Sequence, residues 1–386
     1  MQFQYNEEQI LFKNSLRKFV DDHYDYEARC KLVETDRGYS EEHWQQLADL
    51  GVLGLPFAEE HGGFAGNLPF LTAVAEEFGR GLVVEPFFST VVLAGQLLAE
   101  TAPERIQAEY LPRLTCGDLK LALAWEERGS RGQVSRIDTT ARITGDTALV
   151  QGEKLAVLGA DSADAILVTS KAADGRIALL LVNADAKGLT LTATPLVDGS
   201  RAANVYFNNA EATVLHTDAA ALVQRGLDRA IIVLCAQALG AMDALMAATL
   251  EYSKTRKQFG LPIAAFQALQ HRMADMYIAC EKSRSLLWAA IQADQQGDCH
   301  RAASVLKAEV GAGGRYVGQQ AIQLHGGIGM TAELNVGAHF KLLTQIDILF
   351  GNRDFHLQRL SQSHDDRAGG RFPAVSDRVL RAANTQ

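Results

Sequence analysis

The sequence is poor in cysteine, in positive charge and in unbroken apolar runs, and each shortage closes off a class of protein. Its five cysteines (Cys30, Cys116, Cys235, Cys280 and Cys299) are odd in number, scattered and never spaced as CxxC. Neither a disulfide framework nor a zinc site is indicated, and buried thiols are the expectation. Acidic residues outnumber basic ones, 46 to 37, for a formal charge of -9. That balance argues against a nucleic-acid partner, whose phosphates a binding face must neutralise. No apolar run reaches the roughly 18 residues that a bilayer span needs. The opening stretch, MQFQYNEEQILFKNSLRKFV, is amphipathic rather than signal-like. A cytoplasmic location without membrane contact is therefore expected, and no internal repeat is present.

What is there is enough for a large core: 386 residues, 47% hydrophobic and 22% charged, a length that suggests two or three structural units. From Asn6 to about Gly117 apolar residues recur at helical spacing, as in EQILFKNSLRKFVDD and FLTAVAEEFGRGL. A glycine-rich connector, LPFAEEHGGFAG, interrupts them; Gly62 and Gly63 can take backbone angles closed to other residues. From Lys120 to about Val214 the pattern shifts to short β-type runs: TTARIT, TALVQGEKLAV, AILVTSK, RIALLLVNA, LTLTATPL and ANVYFNN, broken by GD, DG and NN turns. Strands in such close tandem predict an antiparallel sheet or barrel. Helical periodicity returns from Ala220 in two long stretches. The chain thus reads as an α+β multidomain protein, with a helical domain over 1–117, a β-barrel over 118–217 and a helical bundle over 218–386. The polar end, from Ser363 to Gln386, is expected to form a short helix or stay mobile.

Two motifs carry functional information: YSKTRKQFGLPIAAFQALQHRMADM, from Tyr252 to Met276, and QLHGGIGMTAE, from Gln323 to Glu333. In the first, Arg256 offers a planar fork of donors suited to pyrophosphate, while Gln258 and Phe259 add an amide and a stacking face, with Phe266 and Gln267 after the proline turn. In the second, Gln323, Gly326 and Gly327 would let backbone approach a phosphate or adenine closely. With the helical–β–helical order and the GLPFAEEHGG connector, these motifs make the chain resemble the acyl-CoA dehydrogenase family over nearly its whole length. The resemblance implies a helical domain, a middle β-barrel and a four-helix bundle assembled as a tetramer around FAD. It also implies an acyl-CoA substrate and an electron-transfer flavoprotein as electron acceptor. In the family a carboxylate removes the α-proton while the β-hydride passes to the flavin. On the matching positions, Arg256, Gln258, Phe259, Phe266, Gln267, Gln323, Gly326 and Gly327 would hold FAD, with Gly351 in a weaker role, and Asp228 would contact substrate.

The chain also departs from the pattern. Where the family reads EGT this chain reads FGN, so Phe350 stands at the position of the catalytic Glu and Asn352 at that of a flavin-contacting Thr. Some relatives carry the Glu on the first long bundle helix; that position is Ala230. Ile231 replaces a substrate-contacting Arg, EERGSRGQ (Glu126–Gln133) stands for TEPGAGSD, and AVLGA (Ala156–Ala160) stands for WITNA, which puts Leu158 where a Thr hydroxyl would face the flavin. The groups lost hold flavin and substrate within one subunit; the groups kept reach the FAD of a neighbouring subunit. GMTAELNVGAHFKLLTQIDILFGNRDFHL and GEKLAVLGA are similar, more narrowly, to the small subunits of pimeloyl-CoA dehydrogenases and to base-less subunits of heteromeric enzymes for dicarboxylic or steroid side-chain thioesters. That implies a homologous partner subunit in a heterotetramer serving fatty acid or steroid degradation. Two alternatives stay open: a self-sufficient homotetramer with another base, or a structural or DNA-binding member of the fold. Replacement bases to weigh are Glu126, Glu127, Asp347, Asp354, His325, His339 and His356; Asp354, four residues past Phe350, would share its face on a helical turn. Trp125 would either cover a flavin or fill the seam between barrel and helices.

Overall fold

The computed structural model describes residues 4–368; the polar end of the sequence beyond them lies outside the described residues. The first unit contains the α-helices α1 (Glu7–His23), α2 (Tyr26–Val33), α3 (Glu41–Asp49), α4 (Leu68–Gly81), α5 (Gln96–Thr101) and α6 (Glu104–Thr115), with a π-helical stretch over Phe88–Gly95 leading into α5. The start of α1 is set by a capping box, with Gln9 N–H donating to the Asn6 side chain (2.8 Å) and Asn6 N–H to the Gln9 side chain (2.9 Å). Helix α4 is buried on most sides, and its Glu76 and Glu77 are neutralised from α1 by Lys13 and Arg17. The connector before it turns at Gly62, whose φ is +80°.

The middle unit contains β1 (Leu121–Ala124), β2 (Thr140–Thr144), β3 (Thr147–Leu158), β4 (Ala165–Lys171), β5 (Ile177–Asn183), β6 (Leu189–Pro195) and β7 (Arg201–His216). Strands β4, β2, β3, β7 and β5 pair in turn, and β5 returns to β4, so the sheet closes into a barrel. Strand β6 adds to the edge of β7. All six anticipated runs are strands. The seventh, LALA, lies beside β4 in parallel rather than antiparallel register, Leu121 opposite Ala165. Its four residues are all buried, so no alternation marked it as a half-exposed strand.

The last unit is helical: α7 (Ala220–Thr255), a two-residue hairpin of β8 (Lys257–Gln258) and β9 (Leu261–Pro262), then α8 (Gln267–Gln295), α9 (His300–His325), α10 (Val336–Ile348) and α11 (Arg353–Ala368). Helix α7 qualifies the reading of apolar runs. By length and composition it could cross a membrane, with a mean hydropathy of 1.9 over an 18-residue window, but 72% of that window is buried inside the protein. Alanines and glycines interspersed with few polar residues raise the mean without forming an unbroken run, and they serve close packing. A Cβ on Gly79 of α4 would fall 1.8 Å from the Gln237 carbonyl of α7, and one on Gly240 would fall 1.8 Å from the Glu76 carbonyl. The two helices therefore cross backbone to backbone, which locks the first unit onto the bundle.

Candidate flavin and acyl-thioester site

The sequence-predicted residues divide into two groups with opposite surroundings. The first gathers at one end of the bundle. Arg256 ends α7, its N–H donating to Tyr252 O (2.8 Å) and its carbonyl accepting from Ile263 N–H (2.8 Å). Beyond it, Gln258 pairs with Leu261 across a two-residue loop, Phe259–Gly260, in which both φ values are positive (+52° and +81°). This is the primed turn that hairpins prefer, but a Phe in its first position is an uncommon and strained choice. The ring is 92% exposed and meets Phe266 edge-on at 6.1 Å. Gln267 opens α8.

Helix α9 brings the second motif to the same end, because Tyr252 of α7 stacks on His325 of α9 at 4.5 Å. Gln323, Gly326 and Gly327 are exposed there. Gly326 ends α9 with φ +68° and ψ -144°, a region open to glycine alone. A Cβ on either glycine would meet nothing within 4 Å, so the space in front of them is free for another molecule. Arg256 makes no side-chain hydrogen bond or ion pair among the described residues. Leu261, Tyr277 and Met330 are further exposed apolar side chains on neighbouring segments. The group is thus a polar and aromatic surface directed away from its own chain.

The second group converges on a cavity of about 440 Å³ between barrel and bundle, lined by Trp125, Glu126, Arg131, Leu158, Gln345, Phe350, Gly351 and Asn352 among others. Phe350 is buried. Its ring lies parallel to the Trp125 indole (6.0 Å between centroids, 6° between planes) and edge-on to Phe88 at 5.9 Å. A centroid separation within the roughly 4.5–7 Å of direct aromatic pairs leaves no gap for a third ring between them. Trp125 is therefore packing in the seam. Leu158 and Phe350 bring carbon where hydroxyl and carboxylate were expected. The stacked pair forms one wall of this cavity, and an isoalloxazine there would meet carbon at both of those positions. The surface at the end of the bundle fits the adenine and pyrophosphate portions of FAD by donor set and open space.

Why Phe350 sits where it does follows from the turn after α10. Phe350 and Gly351 both have positive φ (+57° and +94°), which ends the helix. Lys307 of α9, itself fully buried, donates from Nζ to Asp347 O (3.0 Å) and Gly351 O (2.8 Å). His356 Nε2 lies 3.0 Å from Phe350 O, and the Asn352 side chain accepts from Phe355 N–H to start α11. This break corrects the expectation for Asp354. It belongs to a new helix, is exposed, and does not share a helical face with Phe350. Sequence reasoning passed over Lys307; a lysine flanked by Leu306 and Ala308 on an otherwise apolar face was the available signal.

The other acid–base candidates are already engaged. Burial alone would raise the Glu127 carboxyl, but Lys154 at 2.7 Å and the N–H groups of Asp138 and Thr139 hold it below its ordinary range. Burial pushes the Lys154 ammonium down to about 8 against the pull of Glu127. Asp347 is paired with Arg315, His339 with the carbonyls of Asn335 and Arg80, and His325 with Ala321 O. Ala230 is buried and supplies no base. Asp228 is buried between His300 (2.8 Å) and Arg359 and lines neither the Phe350 cavity nor its neighbour under α10. Glu126 differs from all of these. Its carboxyl lines the Phe350 cavity, accepts from Ser130 Oγ (3.1 Å) and Gly132 N–H (3.0 Å), and is raised by burial.

Comparison with known proteins agrees with this fold. Residues 6–118 match the family described as acyl-CoA dehydrogenase, N-terminal domain, and residues 220–364 match acyl-CoA dehydrogenase, C-terminal domain. Acyl-CoA dehydrogenase FadE12 of Mycobacterium tuberculosis is 30% identical over 78% of this chain and 81% of its own length. The human mitochondrial short-chain specific acyl-CoA dehydrogenase is 28% identical over 82% of this chain and 80% of its own. Among solved structures, the Tcur3481–Tcur3483 steroid acyl-CoA dehydrogenase variant matches with TM-score 0.88 and 32% identity, covering 94% of this chain and 99% of that one. The ChsE4–ChsE5 complex from Mycobacterium tuberculosis matches with TM-score 0.88 and 25% identity, covering 97% and 100%.

Proposed function

This chain belongs to the acyl-CoA dehydrogenase family, and we propose that it works there as the base-less subunit of a heteromeric flavoenzyme that α,β-dehydrogenates an acyl-CoA thioester. The observation that carries the proposal is the contrast between its two groups of residues: Phe350 and Leu158 line the cavity between barrel and bundle with carbon, while Arg256, Phe259, Gln323, Gly326 and Gly327 face outward. FAD, when bound by a homologous partner subunit, supplies the hydride acceptor. This chain's own share is to bind. The Arg256 guanidinium pairs with pyrophosphate, Gln258 and Gln323 offer amides, Phe259 and Phe266 offer ring faces, and the open backbone at Gly326–Gly327 admits close approach. Gly351, which lines the cavity beside Phe350, has at most a part in shaping the turn.

The base and the in-cavity flavin contacts come from the partner. Without a positioned base, proton removal slows by about 10²- to 10⁴-fold, so the chain alone is a poor dehydrogenase. The similarity of DILFGNRD and its surroundings to small subunits of pimeloyl-CoA dehydrogenases supports this reading. So does the naming of two polypeptides in each of the two solved neighbours above. We place it in the cytoplasm, in breakdown of fatty acid or steroid side-chain thioesters, with electrons passing to an electron-transfer flavoprotein.

A second reading, a self-sufficient enzyme with a non-standard base, is favoured by one observation. Glu126 is a carboxyl in the Phe350 cavity, raised by burial and so better matched to proton transfer near neutrality. Ferricenium reduction by saturated and oxygenated acyl-CoA esters separates the two readings. The first expects no turnover by the purified chain and turnover when a homologous Glu-bearing subunit is co-expressed. Brisk turnover by the chain alone, abolished by Glu126→Gln, would overturn it.

A further inference from the structure

His325 does not line the Phe350 cavity; it lies between the two motifs of the outward-facing surface. It is the last residue of α9, directly before Gly326, and its side chain is buried. Three contacts fix it. Its ring stacks on Tyr252 at 4.5 Å, with 27° between the planes. Its Nδ1 lies 2.8 Å from Ala321 O; a carbonyl only accepts, so Nδ1 carries the hydrogen and the ring is held in rotation. The turn that follows, Gly326–Met330, folds back so closely that a Cβ on Gly329 would fall 2.9 Å from His325 Cβ. On the other side, Tyr252 stands one helical turn before Arg256 and accepts its N–H at 2.8 Å. The ring pair thus has the arginine at one end and the glycine turn at the other.

We propose that His325 is a positioning residue for the adenylate half of FAD: stacked on Tyr252, it sets the separation of Arg256 from the Gly326–Gly327 turn, and with it the span of ligand that the surface accepts. The assignment rests on the reading of this surface as a flavin cradle. Neither motif anchors itself. Arg256 is exposed, and the two glycines have no side chain to pack. Glycine-rich backbone has the most conformational freedom to lose when a ligand orders it. A ring buried under the turn and against α7 removes part of that loss before the ligand arrives, which is how preorganisation strengthens binding. Other ties hold the helices rather than the turn. Arg272 Nη1 donates to Gln320 Oε1 (3.1 Å) between α8 and α9, and Ser253 Oγ reaches Met273 Sδ (3.6 Å) between α7 and α8. Removal of the ring should therefore loosen the turn without separating the helices.

The test measures FAD and FMN affinity by flavin fluorescence in the complex co-purified with a homologous Glu-bearing subunit. His325→Asn keeps a donor near the place of Nδ1 and removes the ring; His325→Phe keeps the ring and removes the donor. From the worth of an aromatic pair, His325→Asn should weaken FAD binding by about two- to tenfold, and His325→Phe should restore it. FMN lacks the adenylate half, so its affinity should be the same in wild type and in His325→Asn. Tyr252→Leu opens the same contact from α7 and serves if His325→Asn fails to fold. The two substitutions together should lose no more than either alone, because both remove one contact. FAD affinity unchanged in His325→Asn, no rescue by His325→Phe, an equal loss for FMN, or additive losses in the double variant would overturn the positioning role. Arg256→Ala separates this from the underlying reading. Unchanged FAD affinity in that variant sinks the flavin cradle and the positioning role with it, whereas a loss there with none in His325→Asn sinks the positioning role alone.

Discussion

Replacing Phe350 by Glu puts back the carboxyl that active relatives are expected to carry at this turn, and the structure says what it would meet there. The ring is 8% exposed and packs on Trp125 and Phe88. Losing two aromatic contacts forfeits about 0.5–1.5 kcal/mol each beyond area burial. The new carboxyl would lie against Trp125, Leu349 and Leu158, with Arg131 as the cation in the cavity lining. Burial of that kind raises a carboxyl by about 2 units, which corresponds to about 2.7 kcal/mol when the group is ionised. A carboxyl raised in the folded state costs stability fully above its folded pKa, and the cost disappears as pH falls below the unfolded value near about 4.3. The variant should therefore lie about 4 kcal/mol below wild type at neutral pH, with roughly half the deficit recovered at about pH 4. Urea unfolding of both proteins across that range measures it. Function should not return with the carboxyl alone, because Leu158 and Asn352 still stand where flavin-contacting hydroxyls are expected. A variant as stable as wild type at neutral pH, or one that binds FAD unaided and turns over acyl-CoA, would refute the account of the cavity.

Other consequences can be checked the same way. Lys307→Met leaves the carbonyls of Asp347 and Gly351 without their buried donor, so urea unfolding should show a loss of about 2–4 kcal/mol. Burial, with Lys307 and Arg359 nearby, pushes the His356 imidazolium down from 6.5 to about 4. The unfolded chain then binds the extra proton first, and stability is lost as pH falls from about 6.5 toward about 4. His356→Asn should lose less across that window, read as the difference between the two pH series. Arg256→Ala, at an exposed side chain, should change the stability of the chain by less than about 0.5 kcal/mol. In the co-expressed complex it should lower the flavin retained through gel filtration; an unchanged flavin content would remove Arg256 from the proposed set.

Most of the architecture was legible because periodicity and turn residues agree with tertiary packing along the chain. The TTARIT, AILVTSK and RIALLLVNA runs became β2, β4 and β5. LALA was not legible, because a strand buried on both faces shows no alternation, and its parallel pairing with β4 depends on a residue far along the chain. At the candidate site, the meaning of Phe350 could be read from what it replaces, but its stacking on Trp125 joins residues from different units and has no local signature. Asp354 was misplaced for a local reason: heptad-like spacing takes a helix to be continuous, and the positive φ of Phe350 and Gly351 breaks it. The Tyr252–His325 stack, which brings the two flavin motifs to one end of the bundle, is likewise a product of the fold.

The most direct test is the flavin stoichiometry of the chain on its own and in company. Expressed alone with excess FAD and purified, it should carry no flavin; co-purified with a homologous Glu-bearing subunit, it should form a complex holding one FAD for each such partner. A preparation of the chain alone with one tightly held FAD per subunit would contradict the account.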